Sequence, residues 1–429
     1  MQHIDDAVAA QTQPPVTRAW LRLRSVSFEG AAVVGASLLL SLIASHLRST
    51  NFNNYVRMAD AILHGHMWID WPGRWLDAVE YNGQHYGIDG PFPILLLLPL
   101  VILFGTQANQ TLVAIGVASL AMYLAWRLLL ALGVARTPRL FLLLFLFAGT
   151  DLWWCAELGD VWFLAHLCSV AATFAVLLEL TGKRRGWLVA LLAICAAESR
   201  NTLVLALPLY AYLIVTGDFR KAASEARGEP PPADAGFDVK KSLRSFGAVL
   251  MLGLAGWIGY NEAMWGTVVD IGHTVYFHQD SWGQREGSPF QLIYLPYQLF
   301  SFFVRPPIFV EWLQRTEWPY LKVDPNGIAL TFTSPALVLA FLARMPGRLK
   351  AAFWVTTALV AGPSFLYYLN GWYQFGMRHA LDFEPYLFVL MAFAVRQSIP
   401  RWAALLCAYS AVVGAWGVWY WNVFFRTGD

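Results

Sequence analysis

Three aspartates of the chain lie in short polar stretches that border long apolar runs. Asp77 occurs in RWLDAVEYNG, Asp89 in YGIDGPF and Asp160 in ELGDVWF. A carboxylate beside apolar sequence costs desolvation free energy unless it has a partner or a task. Because a carboxylate can accept the proton of an attacking hydroxyl, the three are candidate catalytic bases. Asp89 is the first candidate, since the Gly-Pro that follows would fix it at the positive N-terminus of a helix, where it stays ionised.

Arg200, in AAESRNTL, is a candidate of a different kind. A guanidinium grips a phosphate with two hydrogen bonds, so an arginine between two apolar segments can bind an anion. It can equally reach toward water and cap a helix end. The residues alone leave both interpretations of Arg200 open.

A second polar group occurs in FGMRHALDF, where Arg378, His379 and Asp382 follow one another. They are predicted to bind substrate, although Arg378 and Asp382 are four residues apart and could instead form a simple ion pair along a helix. Further substrate-binding residues are predicted at the same membrane face: Tyr86, Tyr260 and Asn261.

The composition indicates what surrounds these residues. Hydrophobic residues make up 57% of the 429 and charged residues 14%, whereas a soluble chain carries about a quarter charged residues. Several apolar runs reach about 20 residues, the length that crosses a bilayer. We therefore predict an all-α polytopic membrane protein. The four scattered cysteines show neither a zinc spacing nor a disulfide framework.

The sequence contains twelve apolar segments. They are 30–48, 92–105, 110–131, 139–153, 161–181, 186–199, 201–217, 246–263, 329–343, 350–369, 383–396 and 401–421. Basic clusters follow near residues 127–139, 183–185, 220–244, 344–350 and 396–401. With the N-terminus in the cytoplasm, all of these clusters fall inside only if one early segment does not cross.

Segment 92–105 is the one predicted not to cross. Its 14 residues would give about 21 Å of helix, against a hydrocarbon core of about 30 Å, and it contains three prolines counting Pro91. We expect a re-entrant or interfacial helix on the outer face. Eleven spanning helices remain, with the C-terminus outside.

This topology predicts how the chain is divided. Residues 1–29 would form a cytoplasmic N-terminal segment, and residues 30–429 a single transmembrane domain. The outer loops would be about 49–109 and 264–328, and residues 218–245 a flexible cytoplasmic linker. The candidate acids and arginines then gather on the outer face, where function is expected.

In this order, several segments resemble those of GT-C glycosyltransferases, which take a sugar from a polyprenyl-phosphate carrier. The family includes protein mannosyltransferases and the aminoarabinose transferase acting on lipid A. The segments are NNYVRMADAILHGHMWI, YGIDGPFPILLLLPLVILFG, FAGTDLWWCAELGDVWFLAH, AAESRNTLVLALP, WIGYNEAMWG, LTFTSPALVL and QFGMRHALDFEP. The resemblance implies a juxtamembrane helix at 92–105, an acid at Asp160 and a phosphate-binding role for Arg200, which replaces the family's lysine.

Two positions depart from the family pattern. The acid that usually precedes the first juxtamembrane helix is absent, because residues 51–54 read NFNN. Gly90 stands where the family has a lysine after the acid that matches Asp89. An asparagine takes no proton, so the base must come from elsewhere or the chemistry differs.

The resulting hypothesis is an inverting glycosyltransferase of the bacterial inner membrane. It would move a sugar from a polyprenyl-phosphate donor to a lipid, glycan or protein acceptor on the outer face, among membrane lipids. Nucleotide and nucleic-acid partners are not expected, since no P-loop, Rossmann glycine pattern or nucleophile elbow occurs. No cofactor is required, although a divalent cation bridging phosphate and acid stays open. The alternatives are a lipid or sugar transporter or flippase, and a catalytically silent relative.

Overall fold

The computed structural model describes residues 15–70, 73, 78–230, 236–309 and 321–425, with side chains from residue 28 onward. Asp77, one of the predicted bases, lies outside the described residues. The described chain is built almost entirely of helices, with two short hairpins of two strands each. It is an all-α polytopic membrane protein, as the composition predicts.

Within the described residues, six helices are long and apolar enough to cross a bilayer. They are α1 (Pro15–Ser45, apolar over Phe28–Ser45), α4 (Gln110–Ala131), α7 (Val161–Thr181), α11 (Val239–Trp265), α15 (Gly347–Leu366) and α17 (Arg401–Phe424). Two bent pairs reach the same length: α5 (Arg136–Ala148) with α6 (Leu152–Leu158), and a 3₁₀ helix (Asn201–Ala206) plus α9 (Leu207–Thr216) with α10 (Asp218–Ala226). Length and composition therefore support six to eight spans.

The remaining predicted spans are also helical but shorter. They are α8 (Gly186–Ala197), α14 (Leu330–Thr333) with the 3₁₀ helix Pro335–Leu342, and α16 (Glu384–Val395). Each of the eleven predicted segments therefore contains helix. The number of segments that cross stays a prediction.

Helix α7 lies at the centre of the fold. Its side chains are buried on every side, as expected for a helix that is apolar all round. It packs against α4 and α8. The turn before it bends sharply at Gly159, whose φ of 69° favours glycine. A Cβ at this position would also lie only 2.5 Å from Thr111 Cα.

The first outer loop contains α2 (Asn54–Leu63), the hairpin β1 (Val79–Tyr81) and β2 (Gln84–Tyr86), and α3 (Phe92–Phe104). The sequence NYVRMADAILHG (54–65) predicts a short amphipathic helix with Tyr55, Met58, Ala59 and Ile62 on one face, and the structure contains this helix. Tyr55, Met58 and Ala59 are buried as expected, but Ile62 is 37% exposed because the buried face turns toward Val56 instead.

Helix α3 has 13 residues, about 20 Å of helix, too few to cross a core of about 30 Å. One face packs on α2, while Leu103 and Phe104 on its other side are largely exposed. A short 3₁₀ helix, Gly105–Gln107, ends it. Its place at the outer face stays a prediction.

The second outer loop contains α12 (Gly272–Gln279), the 3₁₀ helix Leu292–Tyr294, α13 (Leu295–Phe303), and the hairpin β3 (Ile308–Phe309) and β4 (Leu321–Lys322). Within the predicted cytoplasmic linker, α10 is folded rather than extended. Phe219 of α10 is buried and its ring lies 5.3 Å from that of Phe353. This apolar contact anchors the first part of the linker, whereas residues 231–235 lie outside the described residues.

Candidate functional site

A buried carboxylate, Asp382, collects three hydrogen bonds from two other elements, α7 and the turn that begins the 3₁₀ helix Asn201–Ala206. It ends the 3₁₀ helix Arg378–Asp382, just before α16. His166 Nδ1 of α7 lies 2.7 Å from Oδ1, while Arg200 Nε and the Thr202 hydroxyl donate to Oδ2 over 3.2 and 2.9 Å. Burial alone would raise the pKa of Asp382, but Arg200 and the His166 hydrogen bond hold it well below its usual range. Asp382 is therefore an anion that fixes its neighbours.

The hydrogen bonds define the protonation of both histidines. Because Asp382 can only accept, His166 donates through Nδ1–H, and its buried Nε2 is left without a partner among the described residues. Arg200 Nη2 lies 3.1 Å from His379 Nδ1, and since arginine can only donate, that nitrogen accepts. The two imidazole rings meet edge to face at 5.4 Å. Burial, and then the charges of Arg200 and Arg378, hold the pKa of His379 well below its usual range.

Arg200 is held on one side and open on the other. Its Nε and Nη2 are used by Asp382 and His379, whereas Nη1 has no partner in the part of the chain that the structure describes. The side chain is 19% exposed. An arginine fixed in this way can still donate to an incoming oxygen.

The loop that carries Asp89 is attached directly to the Arg200 turn. Phe92 N donates to the Glu198 carbonyl oxygen over 3.1 Å. Gly90 lies so close to the same carbonyl that a Cβ would be 2.1 Å from it. This contact excludes every side chain at residue 90 and explains the glycine. The phosphate-binding candidate and the favoured base candidate are therefore parts of one packed unit.

A small cavity lies beside this contact. Its walls come from the Asp89 loop, the Arg200 turn, the C-terminal end of α11 and the segment before α12. The lining residues include Asp89, Asn201, Trp257, Tyr260, Asn261 and Asp270. Asn201 Nδ2 lies 3.4 Å from Asp270 Oδ2, and Asp270 Oδ1 accepts from Gly272 N. Carboxylates, amides and aromatic rings thus line one space, a combination suited to a polar ligand with an apolar face.

Tyr55 of α2 brings a further polar atom to this region. Its side chain is fully buried, and its hydroxyl has no partner among the described residues. Burial raises the pKa of Tyr55, and the charge of Asp89 adds to the effect, whereas Arg200 opposes it. Tyr55 therefore lies within electrostatic range of both Asp89 and Arg200.

Arg378 and Asp160 form a separate arrangement. No ion pair joins Arg378 to Asp382 among the described residues, so the simple pairing along a helix does not occur. The Arg378 guanidinium instead lies 5.4 Å from the Trp162 ring and 5.5 Å from the Phe163 ring. Burial lowers its pKa to about 10, so it remains charged at neutral pH. Asp160 accepts a hydrogen bond from the Thr50 hydroxyl.

The other predicted residues are distributed as follows. Tyr260 and Asn261 of α11 reach the cavity beside Asp89, as expected. The Tyr86 ring lies 5.3 Å from that of Trp265, a residue that lines the cavity, but Tyr86 itself does not line it. Asn51, at the position of the missing family acid, is exposed, whereas Asn54 at the start of α2 is fully buried.

Sequence reasoning missed four residues of this region: His166, Thr202, Asp270 and Tyr55. His166 offered a signal, because an ionisable residue inside an apolar segment of spanning length is seldom without a role. The described residues contain no group of three or more His, Cys, Asp or Glu side chains that could hold a metal ion.

The fold has a counterpart among solved structures. The chain is similar to ArnT from Cupriavidus metallidurans, whose crystal structure is bound to undecaprenyl phosphate, with a TM-score of 0.52 and 13% sequence identity. The match covers 86% of this chain and 60% of ArnT, so the chain spans less than two thirds of that protein. No protein-family model and no curated protein sequence matches the chain. The two proteins share a fold, in agreement with the resemblance to GT-C glycosyltransferases.

Proposed function

We propose that the protein is a membrane glycosyltransferase that uses a polyprenyl-phosphate sugar as donor. The observation that carries this proposal is the packed unit of Arg200 and Asp89. In this unit the loop that carries Asp89 contacts the turn that carries Arg200 through Gly90 and Phe92, both of which lie against the Glu198 carbonyl. The shared fold with a protein that binds undecaprenyl phosphate supports the same donor class.

Arg200 would hold the donor phosphate. Asp382 and His379 orient the guanidinium, which leaves Nη1 for a phosphate oxygen. Since a polyprenyl phosphate leaves as an anion, its departure needs positive charge more than a strong acid. Arg378, charged and buried nearby, would add to that charge.

Asp89 is the proposed base, with Asp77 and Asp160 as the next candidates. The acceptor hydroxyl gives its proton to the carboxylate while its oxygen bonds to the anomeric carbon. The bond from that carbon to the phosphate oxygen breaks, and polyprenyl phosphate departs with the electron pair. A single displacement of this kind inverts the anomeric configuration. Asp89 ranks first because its loop packs directly on the turn that carries Arg200.

The acceptor is proposed to be a lipid, glycan or protein on the outer face of a bacterial inner membrane. The choice of the outer face rests on the distribution of basic residues, which favours an Asp89 cavity that opens to the outside. Residues 30–429 would form a single transmembrane domain around it. A divalent cation between phosphate and carboxylate is compatible with this chemistry and awaits a test of metal dependence.

Replacement of Arg200 tests the proposal. Transfer from a synthetic polyprenyl-phosphate sugar should fall roughly ten- to hundredfold in Arg200→Ala, since a charge-assisted hydrogen bond contributes about 1.5–3 kcal/mol. Arg200→Lys should recover part of the loss. Arg305→Ala is the matched control, because Arg305 also forms an ion pair, 3.1 Å from Asp324, and is similarly buried. Full transfer by a folded Arg200→Ala variant would reduce Arg200 to a structural role.

A further inference from the structure

The second outer loop contains a segment whose polarity is inverted. Over the 3₁₀ helix Leu292–Tyr294, helix α13 and the residue after it, most apolar side chains point outward, with 41–76% of each exposed. These are Leu292, Ile293, Tyr297, Leu299, Phe300, Phe303 and Val304. A helix on the water-exposed surface of a soluble protein has the opposite arrangement.

The polar side chains of the same segment point inward. Gln298 and Ser301 are fully buried. Gln298 Nε2 donates to the Tyr367 carbonyl oxygen over 2.7 Å, and Ser301 Oγ accepts from Arg305 Nη2 over 3.2 Å. Both side chains therefore have a partner within the protein, although Gln298 Oε1 has none among the described residues. The outward face that remains is mainly apolar.

The segment is fixed to the end of a spanning helix. Phe302 is the apolar residue of α13 that points inward, and its ring lies 5.0 Å from that of Phe365, one residue before the end of α15. The Phe303 ring lies 6.0 Å from the same residue. The exposed face of α13 thus continues the surface of a helix that is itself long and apolar enough to cross a bilayer.

We propose that residues 292–304 insert into the outer leaflet, with the acyl chains of the lipids covering the exposed face. Twelve residues of helix measure about 18 Å, so the segment enters and leaves on the same side. Arg305 follows it and lies 5.5 Å from the Tyr297 ring and 5.4 Å from the Phe300 ring. A cation beside aromatic rings at the end of an apolar segment is the arrangement found at lipid headgroups.

Insertion would anchor the second outer loop to the membrane. Tyr367, which the segment contacts through Gln298, is followed by Tyr368, whose hydroxyl donates to Asp280 over 2.7 Å. Asp280 directly follows α12, so the inserted segment, α15 and α12 form one connected unit. The loop that supplies Asp270 to the cavity is then held at a fixed depth. This inference does not depend on the proposed reaction.

Spin labels on the full-length chain in lipid nanodiscs test the insertion. Leu299→Cys and Phe303→Cys would be labelled in a Cys195→Ser background, because the other three native cysteines are buried. Arg285→Cys, in an exposed polar stretch of the same loop, is the matched control. Labels at 299 and 303 should show an oxygen-to-nickel-chelate accessibility ratio several-fold higher than the label at 285.

Two results would overturn the insertion. If the chelate reaches positions 299 and 303 as readily as position 285, the segment lies in water. If neither oxygen nor chelate reaches them, protein covers the face, as in contact with a second copy of the chain. A second measurement is independent of labelling: Ile293→Asp, at a side chain that is 76% exposed, should lower the unfolding temperature in nanodiscs by several degrees, whereas Arg285→Asp should not. Equal unfolding temperatures would also contradict insertion.

Discussion

The Nδ1 atom of His166 lies 2.7 Å from Oδ1 of Asp382, and both side chains are fully buried. His166 belongs to the central helix α7, while Asp382 ends a 3₁₀ helix 216 residues further along the chain. Arg200 and Thr202 reach the same carboxylate from a third element. Asp382 thus joins three parts of the bundle at the place where the phosphate-binding arginine is oriented.

Removing the charge of Asp382 should destabilise the fold. Asp382→Asn replaces an acceptor of three hydrogen bonds by an amide whose NH₂ faces donors, and it leaves Arg200 without its counter-charge. Loss of one partner of a buried pair costs about 3–5 kcal/mol, so thermal unfolding in detergent should shift strongly downward. Glu179→Gln, which breaks the more exposed Glu179–Arg185 pair, should cost at most about 1 kcal/mol. Equal shifts for the two variants would contradict the anchoring role of Asp382.

Stability should fall as the pH decreases through the usual titration range of histidine. Because the folded-state pKa of His379 is depressed, the unfolded chain binds the proton first, near its usual pKa of about 6.5. The unfolded state then holds more protons, and the free energy of unfolding drops by up to about 1.4 kcal/mol per pH unit for each such group.

The pH effect is checked by unfolding wild-type protein and His379→Gln between pH 7.5 and 5.5. The variant should show a shallower fall, since it no longer titrates at that position. His64→Gln, measured over the same pH range, is the matched substitution outside the buried cluster, since the His64 side chain is exposed and lies beside Asp60 at the end of α2. Identical profiles for wild type and His379→Gln would exclude His379 as a source of the pH dependence.

The helices could be predicted from the sequence because apolar length and periodicity are local properties. The predicted helix at 54–65 is observed at Asn54–Leu63, and all predicted spans contain helix. Arg200 and Asp89 could be selected as candidates because a charged residue beside an apolar run is visible in the sequence itself, and their roles stay predictions.

The pairing of the site residues could not be predicted in the same way. Arg378 and Asp382 are four residues apart, so the sequence makes them candidate partners of each other. It gives no measure of the competing contact between Asp382 and His166, which are 216 residues apart. Arg378 turns to the rings of Trp162 and Phe163, while Asp382 turns to Arg200. Long-range packing determines which of several possible ion pairs forms.

Gly90 should be essential for the alignment of the Asp89 loop with the Arg200 turn. In Gly90→Ala the new Cβ would lie 2.1 Å from the Glu198 carbonyl oxygen, so the loop must move away and the Phe92–Glu198 hydrogen bond must weaken. The rate of sugar transfer should fall strongly while the unfolding temperature changes little, because the displaced loop carries Asp89. Gly116→Ala is the control, since its Cβ meets nothing within 4 Å inside helix α4; it should be neutral or slightly stabilising, by about 0.5–1 kcal/mol. Normal transfer by Gly90→Ala would show that the contact is unimportant for the reaction.

The identity of the base is tested by replacing each aspartate in turn with asparagine, which keeps the shape and removes the proton acceptor. Asp89→Asn should lower transfer from a synthetic polyprenyl-phosphate sugar about hundredfold, near the low end of the range for general bases. Compared with Asp89→Asn, Asp160→Asn should retain more activity and have a lower free energy of unfolding. The reason is that Asp160, directly before α7, accepts a hydrogen bond from Thr50. Asp77→Asn tests the residue that lies outside the described part of the chain. Binding of the donor, measured separately, should be unchanged in Asp89→Asn, which distinguishes a missing base from a lost phosphate contact. Full turnover by both Asp89→Asn and Asp77→Asn, with loss in Asp160→Asn, would move the base to the turn before α7.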